Sequence, residues 1–351
     1  MNMSLAIGKR NTFLGFFFFL GLLATVLIAV GTGPMRVAPA EVTGILLQKI
    51  GVSFSQFTAA QEAVVWNIRL PRVITGILVG MSLAVSGAAL QGIFRNPLVD
   101  PGLIGISSGA ALAVAAVVVL GEPLIALLPG AVRLYGLTLV GFGGGVAATR
   151  LVLYIADYSG RVRVANLLLA GIAVQAVTFA GIGLLQYLSS DQQLRMITFW
   201  MLGSLGGSLW TSAAAAGTII VAATVGLLSV SRELNLLALG EREAAQLGVD
   251  IEKLKRKVVL LVTLSVGAAV SVSGIIGFVG LVVPHLARML FGADHRSLLP
   301  VSVFLGAILM VFSDMVARTV VAPAELPIGV ITSLIGGPFF IFLIMANRRL
   351  T

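Results

Sequence analysis

The chain has 351 residues, 58% hydrophobic and 11% charged, with 23 lysines and arginines against 14 acidic residues and a net charge of +9. Soluble domains carry about 25% charged residues, so an ordinary soluble fold is excluded; in so apolar a chain a basic excess marks loops flanking a membrane, not a nucleic-acid surface. There are no cysteines and two histidines, His285 and His295, which excludes disulfides, thiolate chemistry, iron–sulfur clusters and a histidine-rich metal centre.

Apolar runs of about 20 residues recur along the chain and none alternates with period two, which predicts a helical membrane protein and not a barrel. Lys9 and Arg10 precede the first run, residues 13–30. It is longer than a signal-peptide core of about 7–15 residues and lacks a small-residue cleavage site, so it reads as a retained span that starts inside. A polar stretch, 31–67, follows. Further spans are expected at 73–94, 103–120, 134–154 and 166–188. Residues 191–209 are more polar and predict a short surface helix, and the next span is 211–230. The charged segment 232–257 comes next. The 34 residues of 258–291 are long for one span and short for two; Gly274, Gly277, Gly280 and Pro284 within them predict a break. Spans at 298–317 and 328–346 finish the chain.

Charge decides the ambiguous stretch. Taken as two spans, it gives ten crossings with both termini cytoplasmic, and 16 of the 23 basic residues, Arg348 and Arg349 among them, lie inside. Taken as one, it leaves 13 inside and 10 outside. The positive-inside rule selects ten. The expected fold is an all-α polytopic membrane protein, both termini cytoplasmic, with one transmembrane domain over 1–351 and a cytoplasmic segment at 232–257.

Gly76, Gly80, Ala84, Ala88 and Gly92 recur at every fourth position of span two, a stripe that permits close helix approach. After it, Pro97 and Pro101 stop the helix and hold Asn96 and Asp100 extended. No G-x-x-x-x-G-K-[ST] phosphate loop occurs. The intramembrane ionisable residues Arg150, His285, Arg288 and Asp314 sit near span ends, away from the midplane where a proton-coupled carrier places its acids. No catalytic carboxylate pair or Ser-His-Asp set is evident. The chain therefore reads as a non-enzymatic permease component energised from outside. The candidate contact is GEREAAQLG (240–248), a short helix with Glu241 and Glu243 at its N-terminus, Gly248 as its cap and an apolar face of Ala244, Ala245 and Leu247. It suits either a solvated loop or a helix docked in a partner's groove.

Six stretches then stand in order: RLPR (69–72), GAALQGIFRNPLVDPGLIGISSGA (87–110), LNLLALGEREAAQLGV (234–249), GFVGLVVPHLAR (277–288), DHRSLLP (294–300) and ELPIGVITSLIGGPFF (325–340). The set spans residues 69–345 and resembles the permeases of ABC importers for iron–siderophore complexes, haem and vitamin B12, the FecCD type. Residues 90–110 and FWMLGSLGGSLW (199–210) look most like the haem branch. The resemblance implies ten helices per subunit, a homodimer in the bacterial inner membrane, two cytoplasmic ATPase subunits that use the ATP, a periplasmic binding protein, and no cofactor bound permanently. It implies that Arg69, Arg72 and Arg318 meet acidic side chains of the binding protein. It puts Gly240, Glu241, Ala244, Ala245, Leu247 and Gly248 at the ATPase contact, and Asn96 and Leu98 at a cytoplasmic gate on the dimer axis. The residues themselves also allow interface anchoring for Arg69 and Arg72, and an i,i+4 pair with Asp314 for Arg318. His285 lies in a motif shared across substrates and is read as packing, not haem ligation. Val164 and Ala165, with Arg163 nearby, stand where some relatives carry small hydroxyl residues at the inner gate. Haem is the expected cargo, a ferric siderophore or cobalamin the alternatives, and an ion-coupled secondary carrier the alternative class.

Overall fold

The computed structural model describes residues 2–49, 51–52, 56–121, 130–158 and 160–347. Arg348 and Arg349 of the charge count lie outside the described residues. Helix α1 is Asn2–Gly31, α2 is Pro39–Gln48, and α3 (Ala59–Ala63) runs through a π-helical turn, Val64–Arg69, into α4 (Leu70–Phe94). A 3-10 turn, Pro101–Ile104, leads to α5 (Ile106–Leu120), and α6 is Gly130–Ala156. A two-stranded hairpin, β1 (Asp157–Tyr158) and β2 (Arg161–Val162), joins α6 to α7 (Val164–Leu188). Then come α8 (Asp191–Leu202), α9 (Trp210–Ser229), α10 (Ser231–Leu239), α11 (Glu241–Gln246), α12 (Ile251–Ser273), α13 (Val279–Phe291), α14 (His295–Ala317) and α15 (Ile328–Asn347).

Six helices among the described residues are long and apolar enough to cross a membrane: Ala59–Phe94, Tyr135–Ala156, Val164–Leu188, Trp210–Ser229, Ile251–Ser273 and His295–Ala317. Four shorter apolar helices accompany them: Phe17–Gly31, Ile106–Leu120, Val279–Phe291 and Ile328–Leu343. Every expected apolar run lies on one of these. The differences are local. The polar stretch 31–67 is not mere loop but holds α2, α3 and the π turn. The surface helix stops at Leu202 instead of 209, because Gly203 leaves the helix at φ 71. Residues 103–104 belong to the 3-10 turn, capped when Asp100 accepts from the Gly102 N–H at 2.7 Å.

The stretch 258–291 does break, between Ser273 and Val279, with Gly274 and Phe278 both at positive φ. Gly280 and Pro284 are not part of the break; they lie inside α13. A proline at 284 cannot donate to the carbonyl four residues back, at Gly280. That carbonyl is instead met by the side-chain amide of Gln91, at 3.2 Å. A sequence-distant glutamine thus replaces the missing helical bond, which in lipid has no water to replace it.

Helix α4 is the centre. In its apolar window 78% of residues are buried, against 33% for α6 and for α7, which form the perimeter. The small-residue stripe explains this position. A Cβ added at Gly80 would overlap the Gly306 carbonyl of α14, and one at Gly87 the Gly280 carbonyl of α13. Two backbones meet α4 where only hydrogens intervene. Gly80→Leu is expected to lose the folded protein, a cost beyond the roughly 1–3 kcal/mol of ordinary overpacking because backbone must move. Gly143→Leu, at an exposed helical glycine with open space around it, leaves folding intact. Monodispersity of the two variants in detergent checks both outcomes.

Candidate functional site at the two ends of the bundle

The polar groups of this apolar bundle gather at its two ends, separated along α4 by roughly 35 Å at 1.5 Å per residue. At one end stand Arg69, Arg72 and Arg318, each only 4–6% exposed. Arg72 is bidentate in both directions. Its Nε and Nη2 each lie 2.9 Å from Asp314 Oδ1, and its Nη1 lies 2.8 and 3.0 Å from the two oxygens of Glu325. Asp314 is 1% exposed, and its second oxygen faces Arg318 Nε at 3.6 Å, the i,i+4 pair that the spacing allows.

The other two arginines close a helix. Arg69 donates to the carbonyls of Val30 at 2.7 Å and Gly31 at 3.0 Å, and also to that of Met35. Arg318 donates to the Ala29 carbonyl at 2.5 Å. The carbonyls of Ala29, Val30 and Gly31 are the last of α1, which no intrahelical donor can reach. Cations there also match the negative end of the helix dipole. So the structure brings the three sequence-picked arginines together, but as internally partnered groups: a direct contact with another protein would take them from these oxygens. Glu325, 44% exposed at its side chain, is the member of the set that solvent reaches.

The opposite end holds two patches. In the first, Arg95 ends α4 in the left-handed region at φ 48, and the Asn96 side chain accepts from the Leu98 N–H at 2.9 Å. This Asx turn leaves Asn96 and Leu98 exposed, Leu98 by 59%. Gln91, buried beneath, donates to the Val99 and Gly280 carbonyls and accepts from Arg288. It ties the turn to α13. Burial pushes the Asp100 carboxyl above its ordinary value, opposed by the Gly102 hydrogen bond.

The second patch is the charged segment. Gly240 at φ 138 separates α10 from α11, and Gly248 at φ 89 ends the turn beyond it. Of the apolar face, Ala244 is fully buried, while Ala245 is exposed and Leu247 is 60% exposed; Leu239, at the end of α10, is 65% exposed. Glu241 is held by Lys255 at 3.0 Å. Helix α10 is fixed from its other side: Asn235 accepts from the His295 backbone N–H at 2.9 Å and donates to Asp294 at 2.6 Å. His285 packs edge-on against Phe339, ring centroids 5.8 Å apart. Among the described residues no group of three or more His, Asp or Glu side chains could hold a metal. Gln91, Asn235, Lys255 and Glu325 were not singled out by sequence reasoning; each has a partner more than 50 positions away that no local spacing signals.

Fold and site together define a polytopic membrane permease. Residues 21–346 match the FecCD transport family. The hemin transport system permease protein HmuU of Yersinia pestis is 49% identical over 81% of this chain and 84% of its own length. The cobalamin import system permease protein BtuC of Halobacterium salinarum is 43% identical over 81% and 73%. A solved inward-facing structure assigned to a metal-chelate type of ABC transporter superposes with a TM-score of 0.81 at 36% identity, covering 95% of this chain and 99% of that one. The chain belongs to the FecCD transport family, and is a transport component of ABC-importer type without an ATPase site of its own.

The arginine network yields a stability prediction. Arg72→Met strips Asp314 of its bidentate partner and is expected to cost about 3–5 kcal/mol, as breaking a buried pair does. The pair Arg72→Met with Asp314→Asn recovers part of that loss. Thermal unfolding of the solubilised protein reads both.

Proposed function

We propose that this chain is the membrane subunit of an ATP-driven importer that receives haem from a periplasmic binding protein and passes it across the bacterial inner membrane. The observation that carries the substrate is the 49% identity to a hemin permease over 81% of the chain. Cobalamin is the second reading, favoured by the 43% identical relative. In this reading ten helices cross the membrane with both termini cytoplasmic, the protein works as a homodimer, and two cytoplasmic ATPase subunits consume the ATP.

The end carrying Asn96, Leu98 and the charged segment is then cytoplasmic. Helix α11 is anchored through Ala244 and Glu241 and offers Ala245 and Leu247 outward, a shape suited to a groove on each ATPase subunit, with Gly240 and Gly248 setting its ends. Arg69, Arg72 and Arg318 serve docking of the binding protein at the outer end by holding α1, α4, α14 and the Glu325 loop in one shape. Asn96 and Leu98 form the cytoplasmic gate at the dimer axis.

Two experiments test the reading. Vesicles containing this chain and its ATPase partner, supplied with the binding protein, should take up hemin only with ATP and faster than cobalamin; the reverse preference overturns the haem assignment. The chain has no cysteine, so Leu98→Cys is a unique cross-linking site. Cross-linking across the dimer axis should stop uptake and reduction should restore it. Undiminished uptake by the linked dimer removes the gate from Leu98.

A further inference from the structure

A lysine buried in so apolar a chain calls for a reason. Lys255, in the second turn of α12, is 3% exposed. An ammonium taken from water is costly unless oxygens surround it. Lys255 Nζ has three: Glu241 Oε1 at 3.0 Å, the Val162 carbonyl at 3.2 Å and Glu252 Oε1 at 3.6 Å. They belong to three elements: the first residue of α11, strand β2, and α12 itself.

The hairpin is gripped from the same helix at three further points. Glu252 Oε2 accepts from the Val162 N–H at 2.8 Å, so α12 holds both backbone groups of Val162. Arg256 reaches Asp157 on β1 at 2.7 Å and the Gly160 carbonyl in the turn at 3.3 Å. The hairpin therefore moves with the start of α12. It is also a short link: β1 follows directly on α6, and β2 ends two residues before α7 begins. A displacement of α11 has a charged, hydrogen-bonded route through Lys255 into the α6–α7 junction. An apolar residue of like volume would fill the same space without the desolvation cost, so packing does not account for the ammonium.

We infer that Lys255 is a positioning residue that transmits movement of α11 to the hairpin joining α6 and α7. The inference rests on the proposed role of α11 as the ATPase contact. Lys255 touches no substrate; it acts by keeping α11 and the hairpin in one rigid unit.

The test uses the full complex in vesicles, with ATP hydrolysis and hemin uptake measured on the same samples. Lys255→Met keeps the length and apolar stem but removes the charge. The expected result is hydrolysis near wild type with hemin moved per ATP lowered about fivefold or more, the range of coupling between sites. Lys255→Arg restores part of the ratio. Lys255→Gln, which keeps a donor for the Val162 carbonyl but removes the ammonium that Glu241 meets, shows the same uncoupling. If Lys255→Met does not fold, the more polar Lys255→Gln decides. An unchanged ratio of uptake to hydrolysis in folded Lys255→Met or in Lys255→Gln overturns the inference. A loss of uptake and hydrolysis in equal proportion also overturns it, since that marks a merely structural role. Absence of ATP-dependent hemin uptake by the wild-type complex would instead strike the proposed function.

Discussion

The bundle depends on the closeness with which two other backbones approach α4. Gly80 against Gly306 and Gly87 against Gly280 bring α14 and α13 to positions that a single methyl group would forbid. Lipid tails are as apolar as leucine, so helices in a membrane gain little from hiding apolar surface; close packing and interhelical hydrogen bonds take that place. The Gly280 contact shows both at once. Its carbonyl, orphaned by Pro284, lies against Gly87 and within reach of Gln91 one turn along α4. Two residues of one helix thus supply the space and the donor that the neighbouring helix lacks.

With α4 fixed, the charges at the ends follow a common rule. Arg72 and Lys255 each draw oxygens from two other elements. Arg72 joins α4 to α14 and to the loop before α15; Lys255 joins α12 to α11 and β2. Buried ion pairs contribute little net stability against apolar alternatives. Their worth here is geometric: they set which elements move together. The end holding α1, α4, α14 and Glu325 is one such unit. The segment 240–257 with the hairpin is another, and α10 is pinned separately through Asn235 to the start of α14.

Much of the fold was readable because a membrane span announces itself in a single window of residues. The break after Ser273 was readable too, since Gly274 is a local signal. Pro284 misled the same reading because its cure lies on another helix. The hairpin at 157–162 and helices α2 and α3 escaped notice because each is too short, or too polar, for periodicity to register. For the site, residue type was visible and partnership was not. Arg72 reads as an outward cation next to Pro71, yet its acids stand 242 and 253 positions away. Arg318 pairs with Asp314 as the i,i+4 spacing allows, but nothing nearby shows its donation to Ala29. The short helix at 241–246 was legible since its acids and glycines mark both ends locally.

The arginines that finish α1 also carry a consequence for biosynthesis. The Ala29 carbonyl waits for a donor made 289 residues later, and the Val30 carbonyl for one 39 residues later. During translation the Val30 and Gly31 carbonyls are therefore met early, by Arg69, while that of Ala29 stays open until Arg318 has been made. Its closure by Arg318 ties the end of α1 to the end of α14, so this contact forms only after both helices exist.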